Sequence, residues 1–310
     1  MSSIYQTAHE SAVFFDQSHL GVLKFTGESR LDLIDRMSTN LVRNLQKGEG
    51  AATIFTSEIG RMMERIILYA TSDFAYAITS ENNGDNVARY LMRFVFFNDD
   101  FQVQDLSAGT AVYAVYGPKA QEALAEVGFT DTDFPLHHWR HAEIDGMTAY
   151  LHKTDPIAGD GYFITCNMDV NEAIEAKLKA VMPQGTQEEY EYLRIEQGIG
   201  RFRREWKLDY IPLEANLKDD ISFHKGCYIG QEIIARMESR GKLAKKLVGF
   251  TSEKPLAEGA EIMADGKSVG TVTSSANVDG LPTRALGYVK TKALESGTPL
   301  MVGDSAISLN

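Results

Sequence analysis

Between residues 51 and 78 three β-rich runs, 51–55, 62–69 and 74–78, follow one another across short polar breaks. Breaks of that length cannot hold a crossover helix, so the runs predict an antiparallel meander. Helical patterns interrupt the β texture elsewhere. A strand at 22–25 leads into Thr26-Gly27-Glu28-Ser29, which has turn and capping chemistry for a helix with Leu31, Ile34 and Met37 on one face, ending near Ser38-Thr39-Asn40. Residues 86–97 predict an amphipathic helix, Phe101 and Val103 alternate into Asp105, and 111–116 reads as a strand. Gly117-Pro118 opens a helix that Gly128 closes, 162–166 is a strand holding Cys166 in its core, and Asp169 caps a helix bearing Ile174, Leu178 and Val181 before Pro183. A further helix follows over about 188–199. The fold class is α+β.

Past Leu247 the pattern changes to short β-runs. Asp265-Gly266 is a hairpin turn between 261–264 and 267–272, with further runs at 285–289 and 299–302, which predicts a small β-barrel. The expected division is a main domain over 1–245 and a barrel domain over 246–310. With 310 residues and 44% hydrophobic content the chain can bury a sizeable core. It shows neither a secretory leader nor a run of eighteen apolar residues, so no membrane partner is expected. Cys166 and Cys227 lack Cys-x-x-Cys spacing, fit a reducing cytoplasm, and cannot supply the four thiolates of an ordinary iron-sulfur cluster. The net charge of -12 argues against stable nucleic-acid binding. Residues 194–246, however, hold 12 Lys and Arg against 8 Asp and Glu, which predicts a local anion site or a solvated basic face. His137, His138 and His141 crowd Trp139 in what reads as a loop entering a strand, so no metal site is expected there.

The densest chemistry lies at 225–241. Cys227 sits between Gly226 and Gly230, ahead of a helix carrying Ile233, Ile234 and Met237 and closed by Gly241. A helix start and Lys225 two residues upstream both favour a thiolate, so Cys227 is the candidate reactive residue; a tight structural turn filled by a small thiol is the alternative.

Lys225-Gly226-Cys227-Tyr228-x-Gly230-Gln231-Glu232-x-x-x-Arg236 resembles the signature of the YgfZ family, folate-binding relatives of the glycine-cleavage T-protein that take part in iron-sulfur cluster assembly or repair. Arg194-Ile-Glu196-x-Gly198-Ile199, Ile211-Pro212-Leu213-Glu214-Ala215 and the Gly159-Asp160-Gly161-Tyr162-Phe163 turn extend the resemblance over most of the chain. It implies a T-protein-like folate-binding domain of antiparallel sheets with helices, tetrahydrofolate as cofactor, and iron-sulfur client proteins as partners. Glu196 falls where the family places its pterin-binding glutamate, and a carboxylate can accept two hydrogen bonds from a pterin's adjacent N–H groups. Arg203, Arg204, Lys225, Arg236 and Lys242 are then candidates for the anionic glutamyl tail, with Tyr228 at the same site. The alternative is aminomethyl transfer to or from tetrahydrofolate. The T-protein's Gly-Gly-x-x-Asp-Asp element reads Gly60-Arg61-Met62-Met63-Glu64-Arg65 here, and its asparagine motif reads Thr79-Ser80-Glu81-Asn82, departures that weigh against that catalysis.

Overall fold

The computed structural model describes residues 3–310 and divides into two compact units. The first comprises the chain up to Phe55 together with Glu64–Gln187 and His224–Tyr228; the second comprises Thr56–Met63, Glu188–Phe223 and Ile229–Asn310.

The first unit opens with α1 (Ile4–Glu10), whose preceding Ser3 hydroxyl accepts the Gln6 amide, followed by β1 (Val13–Asp16), β2 (Leu20–Thr26) and α2 (Arg30–Met37). The predicted meander is β3 (Gly50–Thr56), β4 (Met62–Ala70) and β5 (Ala75–Glu81). Then come α3 (Gly84–Met92), β6 (Gln102–Asp105), β7 (Thr110–Gly117), α4 (Ala120–Val127), β8 (Trp139–Ile144), β9 (Met147–Thr154), β10 (Asp160–Asn167) and α5 (Asn171–Val181). They form two five-stranded sheets, ordered β1-β7-β10-β9-β8 and β3-β4-β5-β2-β6. One apolar core holds Phe14, Tyr113, Leu124, Leu151, Ile164 and Leu178, so α4 and α5 pack on a face of the first sheet. Strand alternation turns Ala149 and Leu151 into that core and sends Tyr150 and His152 to the opposite face.

Several boundaries depart from expectation. The helix expected over 86–97 begins earlier and stops at Met92, because the Phe96 amide turns out to bond Asp99, which also pairs with Arg36 of α2. Pro118 precedes α4 rather than opening its first turn, and α5 begins after Val170 with no capping by Asp169. Strand β1, a short apolar run of Val13, Phe14 and Phe15, and strand β9, of mixed polarity, were not expected.

The second unit carries α6 (Gln187–Glu196), α7 (Gln231–Arg240) and a closed barrel of β11 (Lys245–Ser252), β12 (Glu261–Ala264), β13 (Lys267–Ala276), β14 (Thr283–Lys290), β15 (Leu300–Val302) and β16 (Ser305–Leu309), with α8 (Thr291–Ser296) between β14 and β15. The closed order is β11-β14-β13-β12-β15-β16, around Phe250, Ile262, Val272, Val289 and Leu300. Closure removes the exposed edges an open sheet would present. Asp265 and Gly266 have φ of 48° and 71°, so the predicted hairpin turn has both central residues left-handed. The helix expected over 188–199 ends at Glu196, with Gly198 at φ 78°. Helix α7 lies between two left-handed glycines, Gly230 (φ 83°) and Gly241 (φ 61°), as the signature suggested. A side chain at Gly230 would put its Cβ 2.4 Å from the Ser57 carbonyl oxygen, so only glycine fits that approach.

Candidate functional site

The signature's first residues form a tether in the first unit. Helix α2 ends at Met37, and like any helix it leaves carbonyls in its last turn without helical partners. The Lys225 ammonium donates to the carbonyls of Asp35 (2.6 Å), Ser38 (2.9 Å) and Asn40 (2.6 Å), and lies 3.3 Å from Asp35 Oδ1. Its side chain is 0% exposed. Asp35 also accepts the amides of Val42 (2.8 Å) and Arg43 (3.2 Å) and the Arg43 Nε (3.1 Å). Burial alone would raise the Asp35 pKa, but these donors and the lysine outweigh it and hold it below the usual carboxylate range. Burial lowers the Lys225 pKa. Tyr228 is buried with its ring 5.6 Å from the Lys225 ammonium, and burial pushes its phenol up to about 12.

One expectation is corrected here. Lys225 is not open to an anionic ligand tail, because its ammonium is enclosed by three carbonyls and a carboxylate. Cys227 nevertheless stands where the motif suggested, exposed, with open space beside Gly226 and with both flanking anchors buried. The other thiol, Cys166, is buried in the apolar core and pushed up to about 11.

The first unit also contains the residues that replace the transferase acids. Glu64 is 3% exposed; its Oε1 accepts the Ser80 amide (2.7 Å) and its Oε2 the Asn83 Nδ2 (2.6 Å). Burial raises its pKa to about 7 against those two donors. Arg65 pairs with Asp155 at 3.0 Å. The Asp155 carboxyl is pushed up by burial but pulled further down by Arg65. The second acid of the transferase pattern has therefore become the cation of an internal ion pair.

Glu196, Arg203 and Arg236 belong to the second unit. Glu196 Oε1 accepts from Arg284 Nη2 of β14 at 2.6 Å, both side chains about one-fifth exposed. Sequence reasoning gave no sign of Arg284, which lies 88 positions away. Arg194 is buried, gripping Glu191 (2.6 Å), the Ile199 carbonyl (3.0 Å) and Ser274 (3.0 Å), with Glu205 at 3.5 Å. Thus Arg194 fixes the turn after Glu196. The basic surplus of 194–246 is largely spent internally: Arg201 and Arg204 meet Glu191, Arg204 also meets Glu258, Lys218 pairs with Glu238, and Arg236 pairs with Glu232 of its own helix. Arg203 is exposed at φ 64°, its guanidinium 5.1 Å from the Phe202 ring.

Two outcomes follow from these buried charges. Lys225→Met leaves three carbonyls and a buried carboxylate without their cation, and is expected to lower the unfolding free energy by about 3–5 kcal/mol in urea titrations. Unchanged stability would show that the ammonium is dispensable. Glu64 has an ordinary pKa of 4.5 and a folded value of about 7, so the folded chain binds its proton more tightly than the unfolded chain. The stabilisation is complete below pH 4.5 and is lost as pH rises through 7, about 3 kcal/mol in all. Glu64→Gln should remove that slope, which unfolding measured between pH 4 and 8 will register.

Comparison with known proteins places this geometry in a family. Residues 4–225 match the GCVT N-terminal domain, and residues 245–310 match the CAF17 C-terminal beta-barrel domain. A chloroplastic protein of Arabidopsis thaliana named as a transferase is 28% identical over 296 residues, spanning 94% of this chain and 68% of its own. The aminomethyltransferase of Bacillus subtilis is 26% identical, spanning 95% and 84%. The crystal structure of glycine cleavage system aminomethyltransferase T from Bartonella henselae superposes with a TM-score of 0.85 at 19% identity, over 99% of this chain and 88% of that one, which shows a shared fold. The chain therefore belongs to the GCVT-domain family, as a YgfZ/CAF17-like relative of the glycine-cleavage T-protein that carries a CAF17-type barrel over residues 245–310.

Proposed function

We propose that this chain binds tetrahydrofolate and acts in the cytoplasm in iron-sulfur cluster assembly or repair, with Cys227 as the reacting thiol. The observation that carries this reading is the display of Cys227, exposed between the buried anchors Lys225 and Tyr228, while the chain's other cysteine is sealed in a core. Residues 1–245 form the folate-binding domain in this reading and 246–310 an accessory barrel domain. Glu196 reads the pterin, accepting its adjacent N–H groups, and Arg284 orients that carboxylate. The exposed cations Arg203 and Arg236 serve the anionic glutamyl tail, whereas Lys225 and Tyr228 act by holding the thiol loop.

Aminomethyl transfer is the second reading, favoured by one observation. Glu64 is a buried carboxyl poised near neutrality, a pKa suited to a general acid or base. Against it stands the Arg65–Asp155 pair, which puts a committed cation where the transferase pattern has an acid.

Calorimetry with tetrahydrofolate should show binding that weakens by about 1.5–3 kcal/mol in Glu196→Gln, the scale of a charged hydrogen-bond partner. Equal affinities in the two proteins would remove Glu196 from the site. For the thiol, mass spectrometry after iodoacetamide treatment should find Cys227 labelled well before Cys166, and Cys227→Ser should bind folate normally yet fail to restore iron-sulfur enzyme activity in a deletion strain. Full complementation by the serine variant would reduce the motif to a structural turn. Formation of methylenetetrahydrofolate from an aminomethylated carrier protein at ordinary enzyme rates would establish the second reading instead.

A further inference from the structure

The ion pairs of the second unit leave out Lys245 and Lys290, and the barrel brings these two together. Lys245 at the start of β11 and Lys290 at the end of β14 stand directly opposite each other in the antiparallel register. Val289 belongs to the barrel core, so strand alternation turns its neighbours Tyr288 and Lys290 to the outer face, with Lys245 beside Lys290 and Thr271 of β13 beside Tyr288. Like charges placed opposite one another across a sheet repel. Among the described residues neither lysine has a carboxylate partner that would relieve this.

Both lysines border a hollow of about 220 Å³, room for several water molecules' worth of ligand. Tyr210, Tyr288, Ser268 and Thr271 are among its walls, and no Asp or Glu lines it. Asp209 and Glu261 stand nearby, but outside the lining; Asp209 pairs with Lys207 at 3.0 Å, and Glu261 opposes Thr271 across β12 and β13. The two ammonium groups are held against the walls. Lys245 Nζ lies 4.3 Å from the centre of the Tyr210 ring and donates to the Asp209 carbonyl (3.3 Å), while Lys290 Nζ donates to the Ser268 carbonyl (3.1 Å). An ammonium carries three N–H donors, so each lysine has two left to offer. The wall behind Lys245 is rigid, because the buried Tyr210 and Tyr288 rings stack with centres 3.4 Å apart and planes 11° apart.

Two cations without a countercharge favour an anion between them, and bonds from an ammonium to an anionic oxygen are about twice as strong as neutral ones. A dianion balances both charges at once, which a single carboxylate does not. Lysine serves phosphate as a point charge and needs no planar fork to do so. We propose that this hollow on the outer face of the barrel binds a small phosphomonoester, its dianionic phosphate held between the Lys245 and Lys290 ammonium groups. The site stands apart from the folate reading, which uses neither lysine.

The test is calorimetry on the full chain at low salt with glycerol 3-phosphate as probe, beside inorganic phosphate, triglutamate and a uridine tetranucleotide. Glycerol 3-phosphate should bind saturably near neutral pH and several-fold more weakly at about pH 5.5, where most of the ester has taken up a proton. Lys245→Gln and Lys290→Gln should each weaken it about tenfold, the loss of one charged partner. Lys267→Gln, which removes an exposed charge of β13 outside the hollow, should leave it unchanged. If Lys245→Gln does not fold, the exposed Lys290 carries the test. Tighter binding of triglutamate, the tetranucleotide or inorganic phosphate than of the ester would overturn the proposal. So would an equal loss in Lys267→Gln, which would reduce the effect to net charge.

Discussion

A single ammonium group closes the end of α2. Helix termini present carbonyls that must find donors, and water is the usual one. Here Lys225 serves the Asp35 carbonyl in the last turn together with the carbonyls of Ser38 and Asn40 in the segment that follows, and it faces the Asp35 carboxylate, 190 positions earlier in sequence. The cation also meets the negative end of the helix dipole, so hydrogen bonding and electrostatics act in one direction. Segment His224–Tyr228 belongs to the first unit even though the chain on both sides of it belongs to the second. The lysine is the bond that holds it there.

The same economy of charge runs through the rest of the molecule. An acidic chain with a locally basic segment suggests a surface waiting for an anion, yet most of those cations face carboxylates of their own unit. Glu191 shows why. Burial would raise its pKa, but Arg194, Arg201 and Arg204 converge on it and keep it ionised. Arg194 can stay buried only because Glu191, Glu205, Ser274 and a carbonyl surround it. Glu64 is the contrasting case, a buried carboxyl met by two neutral donors and no cation, and it alone of these groups sits near its titration point at neutral pH.

Much of the architecture was legible in the sequence because it is written in local periodicity and turn chemistry. The meander from β3 to β5, the Asp265-Gly266 hairpin and the two glycines around α7 each follow from a few adjacent residues. What escaped depends on distant partners. The stop of α3 at Met92 is set by Asp99 and its bonds to Phe96 and Arg36. The companion of Glu196 comes from a barrel strand, and the position of Lys225 comes from a helix near the chain's start. In the candidate site the signature identified the exposed cysteine correctly but gave its neighbouring lysine the wrong task, since a charge two residues away in sequence can point anywhere in space.

Fixing both flanks of Cys227 has a kinetic side. A thiol on a floppy loop must surrender backbone freedom each time it joins a partner, at a cost of order 1 kcal/mol or more per residue ordered. Between Lys225 and Tyr228 that freedom was already given up when the chain folded, and only Gly226 separates the lysine from the cysteine. In the proposed reading, attachment at Cys227 is therefore an event of one side chain, made and reversed without ordering the loop anew.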